Sequence, residues 1–314
     1  MKTKDDTPTH SVREAKSMAR RIVEHHFGTK PKRIEHNASG MSNWVFLVHH
    51  SEGDFVVRLS PIPTKINSFI KEQWAVRRAH EVGVPTPDIL EVGNEVVPVP
   101  YMVSRRVRGR DATHHPDPFP ILRQMGRYAA LINSIPTTGF GQVFDWSNNQ
   151  LSRNETWKQY LHSELKLDAR LTTLEKERMV SAAKSKEMRS LLERGVKRLP
   201  KTALNHGDMR LKNSIVDERG KITAIIDWEH CSSNLTPHWE LSLALHDLSI
   251  DEKQEFLKGY GLHEKTLAEI APVMKALNLL NYAPRIEQLV QMNDRVQIEQ
   301  YRIRLAGVLD LYSL

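Results

Sequence analysis

The sequence is poor in residues that cross-link a chain or anchor it in lipid. It holds one cysteine in 314 residues, so no internal disulfide can form, and His230 beside Cys231 lacks the paired spacing of a zinc site. Cys231 is expected to be inert packing. No run of 18 apolar residues occurs, and the opening Met1-Lys2-Thr3-Lys4-Asp5-Asp6 has no apolar core of a signal segment. The expectation is a cytoplasmic protein with no membrane partner. The pattern G-x-x-x-x-G-K-S/T is missing, which excludes a Walker phosphate loop. Aromatic residues make up only 7% of the chain, and none interleaves with the arginines of Arg105-Arg106-Val107-Arg108-Gly109-Arg110, so a nucleic-acid face is not expected. Internal repeats and low-complexity segments are missing too.

What remains is ordinary globular composition, 39% hydrophobic and 26% charged. At this length two packed lobes are expected rather than one core. The formal net charge of +7 sets up a field that opposes a polycationic ligand, unless carboxylates such as Glu229, Glu240, Asp247 and Asp251 reverse it locally.

The most informative stretch is His206-Gly207-Asp208-Met209-Arg210-Leu211-Lys212-Asn213, followed by Ile225-Ile226-Asp227-Trp228-Glu229. Between them, 214–217 and 222–226 are strand-like and 218–221 has turn chemistry with a glycine, which predicts a β-hairpin. Asn213 and Asp227 lie equally far from Gly220, so antiparallel pairing returns them to one end, with Cα atoms about 4.5–5.5 Å apart. An amide oxygen and a carboxylate would then face one hard cation, with Asp208 nearby to take a proton from a hydroxyl. The spacing Asp-x4-Asn, then an apolar strand ending in Asp, fits the phosphoryl-transfer template in which one Asp orients the nucleophile while Asn and a second Asp hold magnesium.

These motifs resemble the aminoglycoside phosphotransferase and choline kinase-like family. Its H-G-D-x-x-x-x-N loop is matched at every fixed position, and its I-I-D-W-E motif is matched by Ile225 to Glu229. The likeness runs from about Ile34 to Tyr260. It implies an α+β, two-lobed protein kinase-like fold, with a small antiparallel β-rich N-lobe and a larger, mainly helical C-lobe. The lobes would be 1–103, binding nucleotide, and 104–314, catalytic and acceptor-binding, with a hinge at about 104–111. By the same resemblance Asp208 is the catalytic base, Asn213 and Asp227 hold Mg2+, and His206 is a scaffold for the loop. Pro237-His238-Trp239-Glu240-Leu241 resembles the family's P-x-W-D-L segment, with Glu240 in place of Asp.

Short strand-forming runs are expected at 34–36, 44–48, 55–59, 89–93 and 101–104, interrupted by a helix from about Thr64 to Glu81. Phe69, Glu72, Val76 and Ala79 share one helical face, which turns Glu72 inward, and a buried carboxylate needs a cation. Arg58 on the preceding strand is the candidate, at the position where kinases carry a phosphate-binding lysine. The loop 37–43 has a single glycine, so it fails G-x-G-x-x-G. Ser39, Gly40, Ser42 and Asn43 in it can still give hydroxyl and N–H donors to phosphate. Backbone near Ser104 and Arg106 is expected at the adenine edge, and Ile226 at the nucleotide. From Phe119 the pattern turns helical, and 156–199 is charged and periodic.

The implied activity is transfer of the γ-phosphoryl group of ATP, or GTP, to a hydroxyl of a small molecule. Arg210, two residues after the base, is a candidate for stabilising the transferred group, and Glu229 and Glu240 for holding the acceptor. The acceptor is left open between an aminoglycoside or hygromycin-like antibiotic and a metabolite such as choline, a sugar or an amino alcohol. A catalytically silent nucleotide-binding module is the other alternative, and oligomeric state is not readable.

Overall fold

The computed structural model describes residues 11–38, 43–145, 148–151, 154–194 and 202–311. In chain order the elements are α1 (Val12–Phe27), β1 (Arg33–Asn37), β2 (Trp44–His50), β3 (Gly53–Leu59), α2 (Lys65–Glu81), β4 (Ile89–Gly93), β5 (Tyr101–Arg105) and β6 (Arg110–Asp111). Then come α3 (Phe119–Ile132), β7 (Phe144–Asp145), β8 (Gln150–Leu151), α4 (Trp157–Ser163), α5 (Leu167–Lys176), α6 (Ala182–Arg194) and β9 (Thr202–Asn205). The rest are β10 (Ser214–Val216), β11 (Ile222–Ile225), β12 (Ser232–Leu235), α7 (His238–Ala244), α8 (Ile250–Tyr260), α9 (Glu264–Gln291) and α10 (Arg295–Leu311). Two compact units are formed, one from 1–111 with 214–229 and the other from 112–213 with 230–314.

The first unit is built on an antiparallel sheet of order β1-β2-β3-β5-β4. Alternation along β2 and β3 turns Phe46, Val48, Phe55, Val57 and Leu59 inward, and α1 lays Ala15, Met18, Ala19, Ile22 and Val23 into the same core. A capping box starts α1, with Ser11 and Glu14 answering each other's backbone N–H, and Gly28 ends it in the left-handed region at φ 69°. The predicted helix over Thr64 to Glu81 is α2, and the expected strands are β1 to β5.

The predicted hairpin is β10 and β11, which form a second small sheet with β6. Its turn is closed by Asp217, whose Oδ1 accepts from Arg219 N and Lys221 N, both at 2.9 Å. The register differs from a symmetric count about Gly220. Ser214 opposes Ile225, and an irregularity between Ile215 and Val216 takes up one residue. The ladder therefore ends two residues before Asp227, and Leu211–Asn213 is a turn of 3-10 helix, so Asn213 and Asp227 are not an opposed strand pair.

The second unit is mainly helical. Its core joins Trp157, Tyr160 and Leu161 of α4 to Leu171 and Leu174 of α5, Trp239 of α7, and Leu277, Leu280 and Ile286 of the long α9. Helices α3 and α8 cross at two glycines. A Cβ on Gly126 would stand 1.9 Å from the Phe256 carbonyl, and one on Gly259 would stand 1.9 Å from the Arg123 carbonyl. Backbone meets backbone there, so neither position has room for a side chain. Cys231 is buried, as its reading as packing expects, and among the described residues no helix is long and apolar enough to cross a membrane.

Candidate active site

The strand β9 pairs with β12 through Ser232↔Asn205 to Leu235↔Thr202 and delivers the chain to His206. His206 is fully buried, and its Nδ1 accepts the Asp208 N–H at 3.2 Å, which requires the neutral ring with its proton on Nε2. Gly207 turns the loop at φ 80°, where a Cβ would lie 2.5 Å from the His230 carbonyl. Only glycine satisfies both conditions. The loop's backbone is held from below by Glu240 of α7, whose Oε2 accepts from His206 N at 2.5 Å and Gly207 N at 3.3 Å.

Asp208 is presented at the end of this loop with 8% of its surface exposed. Arg210 Nε lies 2.7 Å from its Oδ1 and Lys212 Nζ 3.2 Å from its Oδ2. The Asn213 amide nitrogen donates to Asp208 Oδ2 at 2.8 Å and to its carbonyl at 2.9 Å. Burial pushes the carboxyl's pKa up, but Arg210, Lys212 and Asn213 outweigh it and hold Asp208 below the usual carboxylate range. The group is ionised at neutral pH. Arg210, a candidate for stabilising the transferred group, is paired with Asp208, and its NH1 is 4.0 Å from Asp247.

In the first unit Arg58 and Glu72 meet side by side, NH1 to Oε2 at 2.7 Å and NH2 to Oε1 at 3.3 Å. The pairing follows the inward face of α2, with Glu72 at 2% exposure and Arg58 lying over the Phe69 ring at 5.2 Å. Burial lowers the Arg58 pKa, but Glu72, with smaller contributions from Asp227 and Glu229, overcomes it and leaves the guanidinium more firmly charged than usual. Asp227 itself adopts φ 68°, a left-handed conformation that an aspartate tolerates better than most residues. The backbone after it is fixed from two sides: Lys71 Nζ donates to the Glu229 carbonyl at 2.7 Å, and Trp228 Nε1 donates to the Ile225 carbonyl at 2.9 Å.

A family model described as the phosphotransferase enzyme family matches residues 33–273. The chain belongs to that family. Comparison with curated protein sequences gives no match. Among solved structures, aminoglycoside phosphotransferase APH(4)-Ia in complex with ADP and hygromycin B is similar at 18% identity, over 92% of this chain and 97% of that one, with TM-score 0.67. An APH(2″) enzyme with GDP and kanamycin is similar at 14% identity, over 91% and 96%, with TM-score 0.63. The macrolide 2′-phosphotransferase MphH from Brachybacterium faecium is similar at 15% identity, over 93% and 98%, with TM-score 0.60. At these identities the likeness is one of fold, and the fold is the α+β, protein kinase-like one that the motifs imply.

Other expected residues have partners within their own unit. The Glu240 carboxyl group is wholly buried against the backbone of His206 and Gly207, and that of Glu229 pairs with Lys65 of α2 at 2.8 Å. Of the two carboxyl groups expected at the acceptor, Glu240 is fully buried and Glu229 is partly exposed. At the expected adenine edge, Ser104 lies within β5 between Val56 of β3 and Ile89 of β4, and the Arg106 N–H is already given to the Asp54 carbonyl at 2.9 Å. Ile226 is half-buried just past β11, and Asn43 half-buried just before β2. Ser39, Gly40 and Ser42 lie outside the described residues. Lys71, buried at 4%, was not singled out from sequence, although a lysine sharing the helix with Phe69 and Glu72 on a buried stretch is a usable signal, because a buried ammonium needs an oxygen partner.

Glu240 gives this site a pH signature. Burial raises its pKa from 4.5 to about 7, against the lowering effect of the Gly207 and His206 N–H groups, and its Oε1 finds no hydrogen-bond partner among the described residues. The folded protein therefore keeps a proton that the unfolded chain has lost between these values, so this group's contribution to stability falls as pH rises from 4.5 to about 7 and is level above. Glu240→Gln has no such proton. Its stability relative to the unsubstituted protein is expected to rise by up to ~3 kcal/mol across that window, read as the difference between two Tm profiles. Parallel profiles would show that Glu240 is ionised throughout.

Proposed function

We propose that the protein is a small-molecule kinase that moves the γ-phosphoryl group of ATP or GTP to a hydroxyl of an antibiotic or a similar hydroxylated metabolite. The observation that carries this reading is the Asp208 carboxylate, placed just after Gly207 and kept ionised by Arg210 and Lys212. The acceptor's O–H would donate to it, the new O–P bond would form as the bond to the β-phosphate oxygen breaks, and the proton would pass to Asp208. A carboxylate of low pKa is a weak base, so its larger contribution is orientation, in keeping with a loose transition state in which the proton leaves late.

The donor set suits magnesium. The Asn213 nitrogen is given to Asp208, which leaves the amide oxygen as the atom it presents to a cation, and Asp227 supplies a carboxylate; both are hard oxygen donors. Magnesium commonly takes one or two protein ligands and completes its shell with phosphates and water. When bound, magnesium neutralises charge on the phosphate oxygens. Arg58, fixed by Glu72, is the protein's own cation for the nucleotide phosphates.

A phosphoryl-transfer screen over antibiotics, sugars and amino alcohols, run with ATP and with GTP, tests the reading by product mass. Magnesium-dependent phosphorylation of one acceptor class is the expected result. Tight nucleotide binding without transfer to any acceptor and without hydrolysis would favour a silent nucleotide-binding module instead.

A further inference from the structure

Helix α2 carries two adjacent buried charges that meet different parts of the first unit. Glu72 turns to β3 and holds Arg58. Lys71, at 4% exposure, turns to the chain after β11 and donates to the Glu229 carbonyl at 2.7 Å. A buried ammonium is costly unless oxygen atoms replace its water, and a charge-assisted bond to a carbonyl fixes main chain rather than the tip of a side chain. Lys65, at the start of the same helix, adds an ion pair to the Glu229 carboxylate at 2.8 Å, with 19% and 21% of the two side chains exposed. That pair is the weaker part of the clamp, because it is partly solvated and ends on a flexible side chain.

The clamp lies two residues past Asp227. Two residues before it, the Ile225 N–H is given to the Pro85 carbonyl at 2.8 Å, and the β10–β11 ladder ends there. Trp228, at 1% exposure, closes the span by donating its Nε1 to the Ile225 carbonyl at 2.9 Å. Asp227 thus stands midway between two anchored points, at a left-handed φ of 68° that persists where the surroundings fix it. Those two points set the direction in which its carboxylate leaves the main chain, and one of them is made by a lysine of α2.

Resting on the reading of Asp227 as a magnesium ligand, we infer that Lys71 is a positioning residue for that ligand, holding the main chain at Glu229 so that the Asp227 carboxylate is set before any nucleotide arrives. Helix α2 then serves the nucleotide twice from neighbouring residues, through Glu72 and Arg58 at the phosphates and through Lys71 at the metal. The two effects are separable. Arg58 needs no metal to meet a phosphate, whereas Lys71 acts only through Asp227.

The test uses the whole chain and a non-hydrolysable ATP analogue, titrated by calorimetry with magnesium and with the metal chelated. Lys71→Met keeps the length of the side chain and removes its charge and its donor. It is expected to weaken binding with magnesium by about tenfold and to leave metal-free binding within about twofold. In an Asp227→Asn background the same change should weaken binding by less than about threefold, because the ligand it positions has already lost its charge. Arg77→Met, on the exposed face of α2, should leave both affinities unchanged. A second readout needs neither nucleotide nor metal. The amides of 226–229 should exchange at least about a hundredfold more slowly in the unsubstituted protein than in an unstructured chain, and Lys71→Met should lose most of that protection. Lys71→Gln, whose donor is too short to reach the Glu229 carbonyl, should behave alike and replaces Lys71→Met if that variant does not fold. Fast exchange of 226–229 in the unsubstituted protein, unchanged binding by the Lys71 variants, an equal loss with and without magnesium, or a full tenfold loss retained beside Asp227→Asn would each overturn the inference. If Asp227→Asn itself binds normally with magnesium, the metal reading falls; if Asp227→Asn loses affinity and the Lys71 variants do not, only the positioning role falls.

Discussion

Replacing Asp208 by alanine is expected to lower the turnover rate by about 10³-fold or more, roughly 4 kcal/mol of transition-state stabilisation, while magnesium-nucleotide affinity stays within about threefold. The separation follows from where the carboxylate is spent. Its contacts are Arg210, Lys212 and Asn213, none of which the substitution deletes, and its proposed partner is the acceptor's hydroxyl rather than the nucleotide. Losing the carboxylate removes a negative charge beside Arg210 and Lys212, which does not disfavour a polyphosphate. His206 and Glu240 hold the loop through backbone groups, so its shape does not depend on the side chain removed. Rapid-quench turnover with a confirmed acceptor, beside calorimetric nucleotide binding, reads both quantities. Turnover within tenfold of the unsubstituted protein would remove Asp208 from the chemistry.

For Asp227 the expected loss is in binding, and it depends on the metal. Asp227→Asn keeps a side chain that tolerates the positive φ observed at this position and preserves size, so the chain held by Lys71 and Trp228 should stay in place. What disappears is a negative charge beside the proposed dication. Nucleotide affinity with magnesium should weaken by about tenfold to a hundredfold, 1.4 to 2.7 kcal/mol, with little change when the metal is chelated. If both proteins bind nucleotide equally with and without magnesium, Asp227 is not a metal ligand. Because Arg58 feels Asp227 only behind Glu72, the Arg58–Glu72 pair is expected to survive the change.

Much of the site was legible because its information is local. His206 to Asn213 is one short loop in which glycine, carboxylate and amide sit at fixed offsets, and the hydrogen bonds that shape it, Asp208 N to His206 and Asn213 to Asp208, span two and five residues. The pairing of Arg58 with Glu72 was legible for a related reason. Helical periodicity turns Glu72 inward, and a buried carboxylate in an element beside a strand arginine has few other partners. Helix α1 escaped that reading although its signal is equally local: Ser11 and Glu14 at capping-box spacing, then Ala15, Met18, Ala19, Ile22 and Val23 on one face.

Where the reading from sequence stopped, the deciding contacts join residues far apart in the chain. Residue types and spacing were enough for the family, the α+β kinase-like fold and the identity of the loop, since propensity, periodicity and motif offsets act over a few residues. They could not tell that Glu240 lies under the loop, because that depends on α7 reaching His206 across 34 residues. Nor could they tell that Lys65 and Lys71 hold Glu229 across 164 and 158 residues, or that Arg304 closes on Asp247 across 57. A charged side chain on a helix looks the same in sequence whether it faces water or a distant carboxylate. Only packing of the helices, fixed by buried apolar faces and by crossings as close as Gly126 against Phe256, decides which charge it meets, and with it what the site can bind.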